Sequence, residues 1–387
     1  MKKKNILIAG AGGIGRSAAL ILAEWSNEEY NILIGDANTT TLYEALEWLK
    51  ESTTKNKNMF SAFEIPFEGE NDELISALQQ GDIILDCLPG SLAPRIAGYA
   101  LKYDLHYANL TEYVKETEQI VEIAKKSTKG FVLQTGLAPG FINILANKLF
   151  QKFCKIHQVE KVDRILMCVG AITQVATPPH FYGFTWSPIG VATEYLEKAK
   201  VLRNAELAFR PALSERELLI IDGKKYEVDI TSGGAADLPE YFKGKVNTLD
   251  YKTLRYEGHY NWVDNQIKKT QKNGVVSSKE LQKIMEENIP RIEDDIVVIF
   301  TSVTGKDNNG HLYGIEQFYN IYPTKVGKAT LRAIQVTTAS PLAQIAENLL
   351  SGKIKGPYFQ SQINTTAFFE GTFVSRMINE NIILKTR

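Results

Sequence analysis

The sequence predicts an α/β fold: an N-terminal doubly wound parallel sheet, followed by an α+β domain with a mixed sheet. Three observations carry this. Short apolar runs alternate with amphipathic stretches over the first 135 or so residues. A glycine-rich turn joins the first apolar run to the first helix. Beyond about residue 160, longer strands and tight turns replace the alternation.

In the first region the strand candidates are 5–10, 30–35, 61–67, 82–88, 105–109 and 130–135. Helices are expected at 14–26, 39–52, 71–79, 92–102 and 112–126. Short apolar strands separated by helices pair in parallel, because each crossover helix must cover a face of the sheet. Leu137-Ala-Pro-Gly140 then punctuates the chain, and a helix is expected from 141 to about 153. Strands follow at 162–170, 248–256, 295–304, 311–322 and 331–337, with a hairpin over 218–228 turning at Asp222-Gly223. Helices are expected near 188–198, 258–272, 278–289 and 340–351.

The glycine turn carries chemistry. Asn5-Ile-Leu-Ile-Ala-Gly-Ala-Gly-Gly-Ile-Gly15 places Gly10, Gly12 and Gly15 in a G-x-G-x-x-G pattern, with Gly13 and Ile14 between them. The first glycine permits a tight turn, the second lets backbone approach a pyrophosphate, and the third lets helix pack on strand. The helix start aims N–H groups and a positive dipole end at the phosphates. Asp36 ends the second apolar run, 21 residues after Gly15, near the spacing of a carboxylate that binds a ribose. It would repel a 2′-phosphate, and Ala37, Asn38 and Thr39 follow it with no arginine. The expected cofactor is NAD in preference to NADP.

Composition sets outer limits. A net charge of −1 over 387 residues gives no field directed at nucleic acid or membrane. Three cysteines (Cys87, Cys154, Cys168) are too few and scattered for a disulfide frame or zinc site, and fit a reducing compartment. The basic Met1-Lys-Lys-Lys start runs into the first strand and does not read as a signal peptide. The expectation is a cytoplasmic protein. His106, His157, His180 and His311 have no partners at ligand spacing, so no metal is expected.

Leu137-Ala-Pro-Gly-Phe-Ile-Asn-Ile-Leu145, Phe184-Thr-Trp-Ser-Pro-Ile-Gly190, Thr231-Ser-Gly-Gly234 and Tyr251-Lys-Thr-Leu-Arg-Tyr-Glu-Gly-His259 together resemble the saccharopine dehydrogenase and lysine 6-dehydrogenase family. The resemblance covers most of the chain. It implies a Rossmann domain at 1–138, with a returning C-terminal segment at about 338–387, and a substrate-binding and dimerisation domain at 139–337. It implies a homodimer acting on a small amino acid, with hydride passing from the ε-carbon to a nicotinamide. Saccharopine would yield glutamate and aminoadipate semialdehyde; lysine would release ammonia. A carboxynorspermidine dehydrogenase-like reductase and a non-catalytic NAD sensor are the other readings. Ala138 stands where saccharopine- and carboxynorspermidine-acting members often carry Asp, and so resembles lysine 6-dehydrogenases. Trp186-Ser-Pro resembles bacterial saccharopine dehydrogenase-like proteins.

Cys87, Leu88 and Pro89 follow a strand end, where a doubly wound sheet binds ligands; Cys87 is equally a small buried residue. Thr135, Gly136 and Pro139 form a turn into a helix and, on the family resemblance, line the cofactor site, with Asn143 beside the substrate. Glu112 opens a helix behind Thr111 and either serves capping and dipole balance or binds the substrate's ammonium or relays a proton. Ser232 and Gly233 form either a plain turn or a nest for a carboxylate. Arg255 either binds the α-carboxylate with its planar fork or pairs with Glu257 or Asp250. Lys252, three residues earlier on the same strand, would face the other side of the sheet. His259, at a helix start, is either a helix-cap or packing histidine or the acid–base group.

Overall fold

The computed structural model describes residues 3–111, 114–270, 276–352 and 354–382. The chain divides into two compact units, residues 1–141, 324–331 and 335–387 in one, and 142–323 and 332–334 in the other. Among the described residues, no helix is long and apolar enough to cross a membrane.

The first unit begins with β1 (Lys4–Ala9), β2 (Tyr30–Asp36), β3 (Phe60–Glu64), β4 (Ile83–Asp86), β5 (His106–Asn109) and β6 (Gly130–Val132). Ile6, Leu7 and Ile8 are successive residues of one strand and all are buried. Burial of both faces requires helices on both sides of the sheet. Those helices are α1 (Gly13–Trp25), α2 (Thr39–Ser52), α3 (Asp72–Gln80), α4 (Ala93–Lys102) and α5 (Val114–Ala124). Asn38 caps α2 by accepting from the Thr41 N–H, and Asn71 caps α3 by accepting from Leu74. The strand order is β3-β2-β1-β4-β5-β6, all parallel. The order reverses at β1/β4, the crevice where such sheets bind ligands.

The second unit opens with α6 (Phe141–His157). Its strands are β7 (Val162–Thr173), β8 (Ala199–Arg203), β9 (Glu206–Arg210), β10 (Glu217–Ile221), β11 (Lys224–Ile230), β12 (Val246–Arg255), β13 (Asp295–Lys306) and β14 (Leu312–Ile321). The main sheet runs β10-β11-β12-β7-β13-β14; β12 and β7 are parallel and the other neighbours antiparallel. This is the expected mixed sheet. Helices α7 (Pro188–Glu194), α8 (Leu238–Phe242), α9 (His259–Thr270) and α10 (Ser278–Asn288) belong to this unit. Val191, Val263, Leu281 and Met285 join Leu166, Cys168, Val298 and Phe300 in one core.

Two hairpins show what the sequence reading caught and missed. Asp222 and Gly223 both have positive φ, 53° and 73°, the paired left-handed conformation that matches strand twist. Asn204 and Ala205 do the same between β8 and β9, at 55° and 61°. That hairpin was not expected, because alanine carries no turn signal. Tertiary bonds hold it: the Ala205 N–H donates to Asn247 O at 2.9 Å, and the Gly244 N–H donates to Ala205 O at 2.9 Å.

The chain then forms the hairpin β15 (Thr324–Val326) and β16 (Ala329–Leu331), the helix α11 (Ala333–Leu350) and β17 (Gly356–Tyr358). The last strand extends the first sheet by pairing parallel with β6, and α12 (Thr365–Phe369) and α13 (Thr372–Ile382) follow. The strand expected at 331–337 is a correction: from Ala333 the segment is helix. Its β-branched residues suggested a strand, but both carboxylate oxygens of the buried Asp295 cap the helix, accepting from the Ala333 and Ile334 N–H groups at 2.7 and 2.8 Å.

One acid lies inside the first unit's core. Asp86, 2% exposed at the end of β4, accepts from the Tyr107 hydroxyl at 2.8 Å and the Leu88 N–H at 3.1 Å. Burial pushes its carboxyl up to about 7.

Two outcomes follow. Asp86 stabilises the fold when protonated, fully so below its ordinary unfolded value, and that contribution is lost as pH rises through about 7. The melting temperature of Asp86→Asn relative to wild type should therefore rise between pH 5 and 8; a constant difference contradicts the burial argument. Asp295→Ala should cost about 0.5–2 kcal/mol as a lost helix cap, seen as a lower melting temperature. An unchanged melting temperature would show that the cap does not hold α11.

Candidate functional site

In the first unit, backbone approaches too closely for side chains. A Cβ on Gly10, at φ 106°, would lie 2.9 Å from the Cys87 carbonyl carbon and oxygen. One on Gly15 would lie 1.8 Å from the Gly10 carbonyl oxygen. These contacts fold the turn against the segment after β4 and seat α1 on the sheet. Gly12 is the opposite case: it is exposed, and a Cβ there would meet nothing within 4 Å. No side chain caps α1 and its first turn holds no acid. An exposed helix start with open space beside it fits a dinucleotide pyrophosphate.

Asp36 is half-buried at the end of β2. One carboxylate oxygen accepts from the Ala11 N–H at 2.7 Å, the other from Asn38 at 2.9 Å. The acid is thereby tied directly to the glycine turn. Gly13 and Ile14 are half-buried in the first turn of α1, where the Gln335 side chain donates to the Gly13 carbonyl at 3.3 Å. Cys87 and Leu88 are half-buried and Pro89 exposed; burial pushes the Cys87 thiol up, away from thiolate chemistry. Thr135 is buried, its N–H and hydroxyl both donating to Asn109 O at 2.8 Å. Gly136 and Pro139 are buried in the next turn. That turn closes on Gly140, where a Cβ would lie 2.0 Å from the Gly136 carbonyl oxygen. Glu112 lies outside the described residues.

In the second unit a buried cation organises the other candidates. Arg255, the last residue of β12, is 2% exposed. Neither expected ion pair forms: Glu257 pairs with Lys225, and Asp250 with Arg203 and Arg164. Among the described residues, no carboxylate comes within ion-pair distance of Arg255. Its Nε–H donates to the Tyr195 hydroxyl oxygen at 2.7 Å and its Nη1 donates to Leu254 O at 2.9 Å. The Tyr182 ring lies under the guanidinium, 4.6 Å from its centre. A guanidinium has five N–H donors. Two are used here, which leaves both on Nη2 and one on Nη1. Lys252 is also fully buried but is paired, donating to Glu217 at 2.7 Å and to the Glu215 carbonyl.

His259, fully buried at the start of α9, is tied at both ring nitrogens. Nδ1 lies 2.7 Å from the His180 carbonyl oxygen and Nε2 lies 3.0 Å from the Tyr195 hydroxyl. A carbonyl only accepts, so Nδ1 carries the proton. Burial first, and Arg255 second, lower its pKa to about 3, so Nε2 is an acceptor. The neutral ring therefore holds its proton on Nδ1 and offers a lone pair at Nε2.

Asn143 on α6 is buried, and its amide donates to the Gly234 carbonyl at 2.9 Å. It thereby holds the loop carrying Ser232, half-buried, and Gly233, exposed at φ 90°. The Ser232 N–H is already used by the Glu194 carbonyl at 3.2 Å. Arg255 and His259 are brought together through Tyr195; Asn143 is not bonded to either. Sequence reasoning missed Tyr182 and Tyr195, which lie 73 and 60 residues before Arg255 with no motif linking them.

Comparison with known proteins agrees with this architecture. The family model for the saccharopine dehydrogenase NADP binding domain matches residues 6–133, and that for the saccharopine dehydrogenase C-terminal domain matches 136–371. The mitochondrial alpha-aminoadipic semialdehyde synthases of Rattus norvegicus and Bos taurus are 22% and 24% identical over 210 residues, 53% of this chain. The match spans about a fifth of those relatives' length, 21%. In fold, the chain is similar to the L-Glu-forming saccharopine dehydrogenase of Saccharomyces cerevisiae, with TM-score 0.73, 14% identity and coverage of 95% of this chain and 96% of that one. It is also similar to the homospermidine synthase of Legionella pneumophila in complex with NAD, with TM-score 0.65, 13% identity and coverage of 97% and 90%. Matched by family models along both units, the chain belongs to the saccharopine dehydrogenase family of NAD(P)-binding oxidoreductases.

Proposed function

We propose that the protein is an NAD-dependent dehydrogenase that oxidises the ε-carbon C–N bond of saccharopine, yielding glutamate and aminoadipate semialdehyde in lysine metabolism. The observation that carries this is Arg255. Arg255 makes no ion-pair contact with a carboxylate, the buried Glu194 acting on it only through space, and three N–H donors including an end-on pair suit a substrate carboxylate. The names of the mammalian relatives and the yeast structure point to the same substrate class. The homospermidine synthase likeness supports a polyamine reading, but homospermidine itself brings no carboxylate to Arg255.

A bound nicotinamide would supply a hydride acceptor for the ε-carbon, and hydrolysis of the resulting C=N bond would release glutamate. The chain's part is to bind and orient. Arg255 holds a carboxylate, and Asn143 fixes the Ser232-Gly233 loop for substrate contact. Asp36 binds the ribose hydroxyls and disfavours a 2′-phosphate, which supports NAD although the matching family domain is described as NADP binding. A cytoplasmic homodimer belongs to the same reading.

NAD reduction, followed as NADH absorbance with saccharopine and lysine in parallel, tests the reading. Saccharopine should be turned over. Turnover of lysine alone would identify a lysine 6-dehydrogenase and give Ala138 its meaning. Silence from both, with NAD binding intact, contradicts the proposal. Asp36→Ala should weaken NAD binding by about 1.5–3 kcal/mol, the worth of hydrogen bonds to a charged group, and should weaken NADP binding less. Equal losses for both cofactors would remove Asp36 from cofactor selection.

A further inference from the structure

We propose that Tyr195 and His259 are positioning residues that fix how Arg255 presents its guanidinium to the substrate carboxylate. The inference rests on the reading of Arg255 given above and deepens it.

The hydrogen bonds from Arg255 through Tyr195 to His259 run in one direction. The Arg255 Nε–H must donate, so the Tyr195 oxygen accepts at 2.7 Å. Burial pushes the Tyr195 phenol up, so it keeps its proton. That proton points to His259 Nε2 at 3.0 Å, and the opposite ring nitrogen donates to the His180 carbonyl at 2.7 Å. Every donor in this line meets an acceptor and none can reverse. A protonated His259 would offer Nε2–H to Tyr195, whose oxygen already accepts from Arg255, and would place a second cation nearby. Burial and Arg255 oppose that state, holding the ring neutral down to about pH 3.

The consequence falls on the guanidinium. Tyr195 occupies Nε, the donor that a side-on carboxylate would share with Nη2. The Leu254 carbonyl takes one donor of Nη1, and the Tyr182 ring fixes the plane. An end-on approach through Nη1 and Nη2 remains. The relay therefore selects one of the two bidentate geometries an arginine can offer.

Isothermal calorimetry with saccharopine, and with glutamate as a simpler carboxylate, tests this on wild type, Arg255→Ala, Tyr195→Phe and the double variant. Tyr195→Phe should weaken saccharopine binding about tenfold and leave NAD affinity unchanged. In the Arg255→Ala background the same change should have no further effect, because Tyr195 acts only through Arg255. Additive losses would overturn the inference, since a merely structural tyrosine matters equally in both backgrounds. Normal affinity in Tyr195→Phe with weakened binding in Arg255→Ala would overturn the relay and keep the carboxylate reading. Normal affinity in Arg255→Ala, or no binding by wild type, would sink both. Should Tyr195→Phe fail to fold, His259→Gln and His259→Phe serve instead. Gln retains an acceptor and a donor and should bind more tightly than Phe; equal losses would contradict the relay.

Discussion

A positive charge with no carboxylate beside it is the constraint on which the second unit is built. Burying a guanidinium removes its hydration, and proteins ordinarily offset this with a paired acid. Arg255 has instead the Tyr182 face, the Tyr195 hydroxyl and a backbone carbonyl. Aromatic faces and neutral acceptors recover part of the lost solvation, and the neighbouring tyrosines and the Glu194 carboxylate favour the charged form from beyond ion-pair distance. The same cation helps keep His259 uncharged. Lys252, three residues away and equally buried, has its carboxylate in Glu217, so the difference lies in the site and not in the strand.

The first unit depends on backbone proximity. Gly10, Gly15 and Gly140 each occupy a position where a Cβ would meet a carbonyl group at 2.9 Å or less. Removing side chains there lets one turn pack on another. The space beside Gly12 then lies at an uncapped helix start, with Asp36 joined to the turn through Ala11. The anion-binding helix end and the ribose-binding acid are thus fixed by one small set of contacts.

The cofactor turn was legible because its determinants are local: glycines at fixed spacing, then an acid on the next strand. The parallel sheet was legible for the same reason. The hairpin at Asn204-Ala205 was not, because bonds to Asn247 and Gly244 impose its conformation. The helix from Ala333 looked like a strand because its cap, Asp295, lies 38 residues away in sequence. Arg255 could be chosen from its chemistry, but its partners could not. Tyr182 and Tyr195 sit on segments that only tertiary folding brings to β12. The charge state of His259 was hidden for a related reason: its sequence neighbours indicate a helix start, whereas burial and Arg255 set its charge.

Arg255 is the group on which substrate binding depends. A crystal structure of the protein with NAD and saccharopine tests it most directly. The prediction is a substrate carboxylate bonded end-on to Arg255 Nη1 and Nη2 at about 2.7–2.9 Å, with Tyr195 still on Nε. Saccharopine bound with all its carboxylates on other residues, and Arg255 unchanged, would contradict it.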